Sequence, residues 1–133
     1  MKKEGILNGA LSQTIAALGH TDKLVICDCG LPIPKGAKLI DLALTKNIPS
    51  FRDTLLAILN ELEVEGAIIA EELEQSKDEN YFLINNELKN IKVDTEPHEK
   101  FKELTRENGN IYFVRTGEAT PYANIILISG VNF

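Results

Sequence analysis

G-H-T-D-K-L-V-I-C-D-C-G-L-P-I-P, residues Gly19 to Pro34, is the stretch around which the fold can be read. A histidine follows a glycine at what the upstream pattern makes a helix end. An apolar run then leads to Asp28, and Gly30, Pro32 and Pro34 stop any regular strand beyond it. From Leu24 to Cys29 the side chains of an extended chain alternate. Leu24, Ile26 and Asp28 share one face; Val25, Cys27 and Cys29 share the other. Asp28 is therefore a carboxylate in line with core residues at the carboxyl end of a buried strand, where α/β sheets bind ligands. A charge in that place needs a partner, water or a polar ligand. Equally, Asp28 can cap the turn formed by Gly30 and Pro32. Both readings stand at this point.

Outward from this strand, the pattern alternates helices and strands. Leu11, Ile15 and Leu18 have helical spacing, so a helix is expected over Gly9 to Leu18, with Gly19 as its C′ residue. Lys38 to Leu44 reads as a second strand, ended by Asn47 and Pro49. Ser50 and Asp53 make a capping-box-like start for a helix whose apolar stripe is Phe51, Leu55, Ile58, Leu59 and Leu62. Ala67 to Ala70 is a short buried strand. The polar segment Glu71 to Asn90 carries one helix signal, Asp78 as a cap for a helix through Leu88, weakened by Asn85 and Asn86. Ile91 to Val93 reads as a strand, and Pro97 opens a helix that ends at Asn108-Gly109. Ile111 to Val114 and Ile125 to Ile128 are strands around the loop R-T-G-E-A-T-P-Y-A-N. Such interleaving predicts one α/β layered domain over residues 1–133, a central mixed sheet flanked by helices.

The 133 residues suffice for one domain with a core, and 44% hydrophobic against 26% charged residues argues against disorder. A net charge of −6 without a Lys/Arg cluster weighs against nucleic-acid or anionic-membrane partners. No apolar run is long enough to span a bilayer, and Asn8 and Gly9 interrupt any signal-peptide core, so a cytoplasmic location is expected. Cys27 and Cys29 form C-x-C rather than a redox or zinc C-x-x-C, and read as small buried thiols.

Phosphate loops and nucleophile elbows are missing: there is no G-x-x-x-x-G-K-[ST], G-x-G-x-x-G or G-x-S-x-G. The two histidines, His20 and His98, are far apart and lack metal-ligand spacing, so no metal site is expected. His20 either caps helix carbonyls or serves proton transfer near neutral pH. The helix dipole favours its charged form and burial opposes it. His98, beside Pro97 in a first helical turn, reads on spacing alone as a surface residue. Tyr122 and Asn124 carry groups suited to a sugar-like ligand, or else pack the loop and make an Asx turn.

The segments L-G-H-T-D (Leu18 to Asp22), D-C-G-L-P-I-P (Asp28 to Pro34), P-S-F (Pro49 to Phe51) and A-I-I-A-E-E (Ala67 to Glu72) carry a further signal. So do H-E-K-F-K (His98 to Lys102) and T-G-E-A-T-P-Y-A-N-I-I-L (Thr116 to Leu127). Through them the chain resembles, nearly end to end, the ribose pyranase and L-fucose mutarotase family. The G-L-P-I-P loop and the Y-A-N-I-I-L ending are similar to its ribose branch. The resemblance implies interconversion of the β-pyranose and β-furanose forms of D-ribose without a cofactor. It implies His20 as the acid, sugar contacts at Asp28, His98, Tyr122, Ala123 and Asn124, and ring-shaped homodecamers with sites shared between neighbouring subunits. The group that takes the anomeric proton is left open among His98, Asp28 and water. Two rivals are a mutarotase for another sugar, such as L-fucose, and a non-catalytic sugar-binding ring.

Overall fold

Leu24 and Ile26 face one core and Val25 and Cys27 face another, all four without solvent exposure. The alternation read from the sequence thus places this strand inside a sheet covered on both sides. The computed structural model describes residues 1–133. Its elements in chain order are α1 (Gly9–Ala17), β1 (Lys23–Cys27), β2 (Lys38–Asp41), α2 (Phe51–Leu59), β3 (Val64–Ala70) and α3 (Glu71–Ser76). There follow α4 (Glu79–Glu87), β4 (Lys92–Glu96), α5 (His98–Leu104), β5 (Ile111–Arg115) and β6 (Ile125–Ser129).

The six strands lie in the order β2-β5-β1-β6-β3-β4. β6 runs antiparallel to β1 and β3, and every other pairing is parallel, so the sheet is mixed as expected. On one face α1, α2 and α4 bring Leu11, Ile15, Phe51, Leu55, Ile58 and Ile84 onto Leu24, Ile26, Ile125 and Leu127. On the other, Phe101 of α5 packs with Val25, Cys27, Leu31, Phe113 and Ile126. Burying a side chain of this size is worth about 1.5–3 kcal/mol, so these two layers dominate stability.

Helix starts follow their caps. The Asn8 Oδ1 accepts the Leu11 N–H at 2.9 Å, the Ser50 Oγ that of Asp53 at 3.0 Å, and the Asp78 Oδ1 that of Asn80 at 2.8 Å. Several ends differ from the pattern. The α1 cap Leu18 is extended, and the left-handed residue of the following turn is Thr21 (φ 68°) rather than Gly19. β2 ends at Asp41, whose Oδ1 turns the chain by accepting the Ala43 N–H at 3.0 Å while its Oδ2 pairs with the guanidinium of its ladder partner Arg115 at 2.8 Å. α5 ends at Leu104, capped by Thr105, well before Asn108. The acidic segment Glu71–Ser76 forms α3, a helix the pattern did not show. Cys27 is buried, but Cys29 lies past the strand and is exposed, so the expectation of two buried thiols holds for only one. Both are free.

Candidate functional site

The exit of β1 is clamped from two sides. Thr116, just past β5, donates to the Cys27 carbonyl through both its N–H (3.0 Å) and its Oγ1 (2.8 Å). The Glu118 carbonyl takes the Cys29 N–H at 2.9 Å. Between these contacts the Asn124 Oδ1, entering β6, accepts the Asp28 N–H at 2.8 Å, and its Nδ2 donates to the Asp28 Oδ2 at 3.2 Å. The Asp28 Oδ1 accepts the Gly30 N–H at 2.9 Å. Asp28 therefore does cap its own turn, as one of the two readings had it. It is also a half-buried carboxylate with lone pairs to spare and no cation bound to it.

The segment that delivers Asn124 is held tightly. A Cβ on Gly117 would collide with the backbone of Thr45 and Ile48, so only glycine fits there. Glu118 is 8% exposed and carries no cationic partner; its carboxylate instead accepts the Phe51 N–H at the start of α2 (3.0 Å) and the Asn80 Nδ2 of α4 (3.2 Å). Then Pro121 and Tyr122 make a tight turn, closed by the Ala123 N–H on the Thr120 carbonyl, with Tyr122 at φ 65°. A left-handed backbone at an aromatic residue is strained, and such strain gathers at ligand sites. Tyr122 is 37% exposed, while Ala123 and Asn124 are fully buried.

His98 joins this cluster. Its ring meets the edge of the Tyr122 ring at 5.0 Å and stacks near Phe101 at 6.2 Å. Both oxygens of Glu72, from α3, accept its backbone N–H (3.1 and 2.9 Å), supplying the helix cap that Pro97 cannot. Its Nδ1 is sealed from solvent without a hydrogen-bond partner, which leaves Nε2 as the ring atom available to a ligand. The surface placement read from spacing is overturned: tertiary packing against Tyr122 half-buries the ring.

His20 is elsewhere. It sits on the turn between α1 and β1, pinned by the Gly19 N–H on the Asp22 Oδ2 (2.8 Å) and the Thr21 N–H on the Ser129 carbonyl (2.9 Å). Its exposed ring meets the Glu65 Oε2 through Nε2 at 2.8 Å. This is the amino end of β1, whereas Asp28, His98, Tyr122 and Asn124 gather at its carboxyl end. The five residues of β1 put roughly 15 Å between the two groups. A cleft of about 640 Å³ opens beside His20, lined also by Leu18, Leu62, Glu63, Ser129 and Phe133. None of the larger cavities touches Asp28, His98, Tyr122 or Asn124. No three His, Cys, Asp or Glu side chains converge as metal ligands, and no helix is long and apolar enough to cross a membrane.

The residues the pattern missed are carboxylates: Glu65, Glu72 and Glu118 each hold a site residue or its loop. Glu72 and Glu118 lie inside the quoted segments A-I-I-A-E-E and T-G-E-A-T-P-Y, but their partners are 26 to 67 residues away and leave no local signal.

The end of β1 and the entry to β6 thus gather a carboxylate, an amide, an imidazole and a phenol on a mixed α/β sheet, groups able to hydrogen-bond a small polar ligand. The model of the RbsD / FucU transport protein family matches residues 1–132, and the chain belongs to that family. It is 53% identical to the D-ribose pyranase of Coprothermobacter proteolyticus, covering all of both chains. It is 50% identical to the D-ribose pyranase of Geobacillus thermodenitrificans, covering 100% of this chain and 99% of that one. The solved structure of Bacillus subtilis RbsD complexed with D-ribose superposes with a TM-score of 0.92 at 46% identity, covering all of both chains.

Proposed function

We propose that this chain is a ribose pyranase: it interconverts the β-pyranose and β-furanose forms of D-ribose by opening and reclosing the ring. The observation that carries the reading is identity of about one half, end to end, with proteins of that activity. The chemistry asks for nothing the chain lacks. A proton goes to the ring oxygen as its bond to the anomeric carbon breaks, and one leaves the anomeric hydroxyl. The C4 hydroxyl then attacks the freed carbonyl carbon and the protons return. One positioned acid contributes typically ~10²–10⁴-fold to such a step.

His20 is the acid in this proposal. Asp28, His98 and Tyr122 hold sugar hydroxyls, and Ala123 and Asn124 form the floor, Asn124 by keeping Asp28 in place. Since His20 and this cluster occupy opposite ends of the sheet, His20 acts on sugar held by a neighbouring copy. The exposed Phe133 and Val131 beside the His20 cleft offer apolar surface for such a neighbour to cover. A homodecamer working in the cytoplasm, without cofactor or metal, completes the proposal.

Saturation-transfer NMR on D-ribose, with and without protein, tests it. Accelerated pyranose–furanose exchange is expected, lost in a folded, assembled His20→Ala variant and insensitive to exhaustive chelation. Acceleration confined to another sugar such as L-fucose, or binding without acceleration, overturns it.

A further inference from the structure

Glu65 is the extra residue of a β-bulge. Val64 pairs with Ser129 and Gly66 with Ile128, so β3 advances two residues while β6 advances one. Bulges re-aim a side chain out of the regular ladder. The space for this is made by Gly130, where a Cβ would stand 3.3 Å from the Glu65 Cβ, tighter than a neighbour easily accepts. The re-aimed carboxylate meets the His20 Nε2 at 2.8 Å. The His20 backbone is independently fixed by the Asp22 and Ser129 contacts, so ring orientation is the freedom left for Glu65 to set.

We propose that Glu65 is a positioning residue for His20: it accepts the Nε2–H, which leaves Nδ1 as the ring atom that exchanges the proton with the sugar. In the neutral ring the proton then sits on Nε2, against the carboxylate, and Nδ1 carries the lone pair. In the charged ring Nδ1–H gives its proton to the ring oxygen as the bond to the anomeric carbon breaks, and water takes the proton of the anomeric hydroxyl. On reclosure Nδ1 takes the proton of the attacking C4 hydroxyl and water returns one to the carbonyl oxygen, so the histidine ends as it began. A carboxylate behind an imidazole serves the same ends in hydrolytic triads, fixing tautomer and orientation and stabilising the imidazolium. The inference rests on the reading of His20 as the acid.

The test uses the assembled protein with Glu65→Ala and Glu65→Gln. In Glu65→Ala, kcat for ring exchange falls about tenfold to a hundredfold, a share of the ~10²–10⁴ due to a positioned acid, while KM for D-ribose is unchanged. Glu65→Gln, whose amide oxygen still accepts the Nε2–H, loses less. With only two histidines, ¹⁵N-histidine labelling assigns His20 by comparison with His20→Ala. The neutral His20 ring of the native protein shows its proton on Nε2, and Glu65→Ala shows mixed tautomers. Native kcat in Glu65→Ala, or ring signals unchanged from the native protein, overturns the inference. If Glu65→Ala fails to assemble, the native nitrogen signals decide: a neutral His20 ring with its proton on Nε2 supports the inference, and one with its proton on Nδ1 overturns it. Absence of ring exchange in the native protein would instead sink the functional reading, and the nitrogen signals would still judge the Glu65–His20 contact.

Discussion

Asn124 holds Asp28 at two points, taking its backbone N–H at 2.8 Å and giving a hydrogen to its carboxylate at 3.2 Å. One fully buried amide thus fixes both the path of the chain out of β1 and the direction of the acid it carries. Removing the amide leaves a polar backbone group without its partner, a loss of about 1–3 kcal/mol. Asn124→Ala is expected to lower the unfolding free energy by that amount in urea titrations and to weaken D-ribose binding. Asn124→Asp should do worse at neutral pH, because a second carboxylate then faces Asp28, and should recover in part on acidification. Equal stability of the two variants at neutral pH would contradict the contact.

The buried Glu118 makes a different prediction. Its two oxygens face two donors, the Phe51 N–H and the Asn80 Nδ2. In Glu118→Gln one of those oxygens becomes an NH₂ group pointed at a donor. A change of similar size and shape should therefore destabilise by about 1–3 kcal/mol, measured by urea unfolding. Pairing it with Asn80→Asp, which turns one donor into an acceptor, should restore part of the loss. Failure of the double variant to regain stability would show that Asn80 is not the partner that matters.

Alkaline pH tests the two-faced core. Burial beside Val25 and Phe113 pushes the Cys27 thiol up from 9.0 to about 12, with the Asp28 charge adding to the rise. The folded protein thus holds this proton more tightly than the unfolded chain. Its contribution is fully present below pH 9 and is lost as pH rises from 9 toward 12, by up to about 4 kcal/mol. Urea midpoints followed upward from pH 8 should fall less steeply in Cys27→Ala than in the native protein. Parallel curves would mean that other groups carry the alkaline loss.

What the sequence made legible follows from the range of each interaction. β1 could be read because period-two alternation is local, and the structure divides Leu24 and Ile26 from Val25 and Cys27 along that line. The start of α2 could be read because Ser50 reaches only as far as Asp53. α3 could not, since its six residues bury little beyond Leu73 and their acidic run looks like solvated loop. Glu65 and Glu118 were missed for the opposite reason. Each acts on a partner more than forty residues away, and a buried or re-aimed glutamate looks in sequence like any surface one. His20 and Asp28 are near neighbours in sequence, yet the extended strand between them carries them to opposite ends of the sheet.

That separation sharpens the test of a shared site. Pairing by sequence would put His20 and Asp28 on one chain's contribution, with Tyr122 and Asn124 on the other's. The fold instead groups Asp28, His98, Tyr122 and Asn124 and leaves His20 alone, with Glu65. If each site takes His20 from one copy and the cluster from its neighbour, inactive variants fall into two complementation groups. His20→Ala unfolded together with Asn124→Ala, then reassembled in equal amounts, should form sites in which both residues are intact. Random assembly makes that roughly a quarter of all sites, since each residue comes intact from one parent in two. Ring exchange should then rise well above either parent, toward a quarter of the native rate. His20→Ala with Asp28→Ala should behave the same way, whereas Asp28→Ala with Asn124→Ala should stay inactive because both lesions lie on the same side. Each parent has to be near-inactive and to reassemble to native size, which sedimentation checks. Recovery in the Asp28–Asn124 mixture, or none in either mixture containing His20→Ala, would mean that the site is not divided between copies along the line the fold draws.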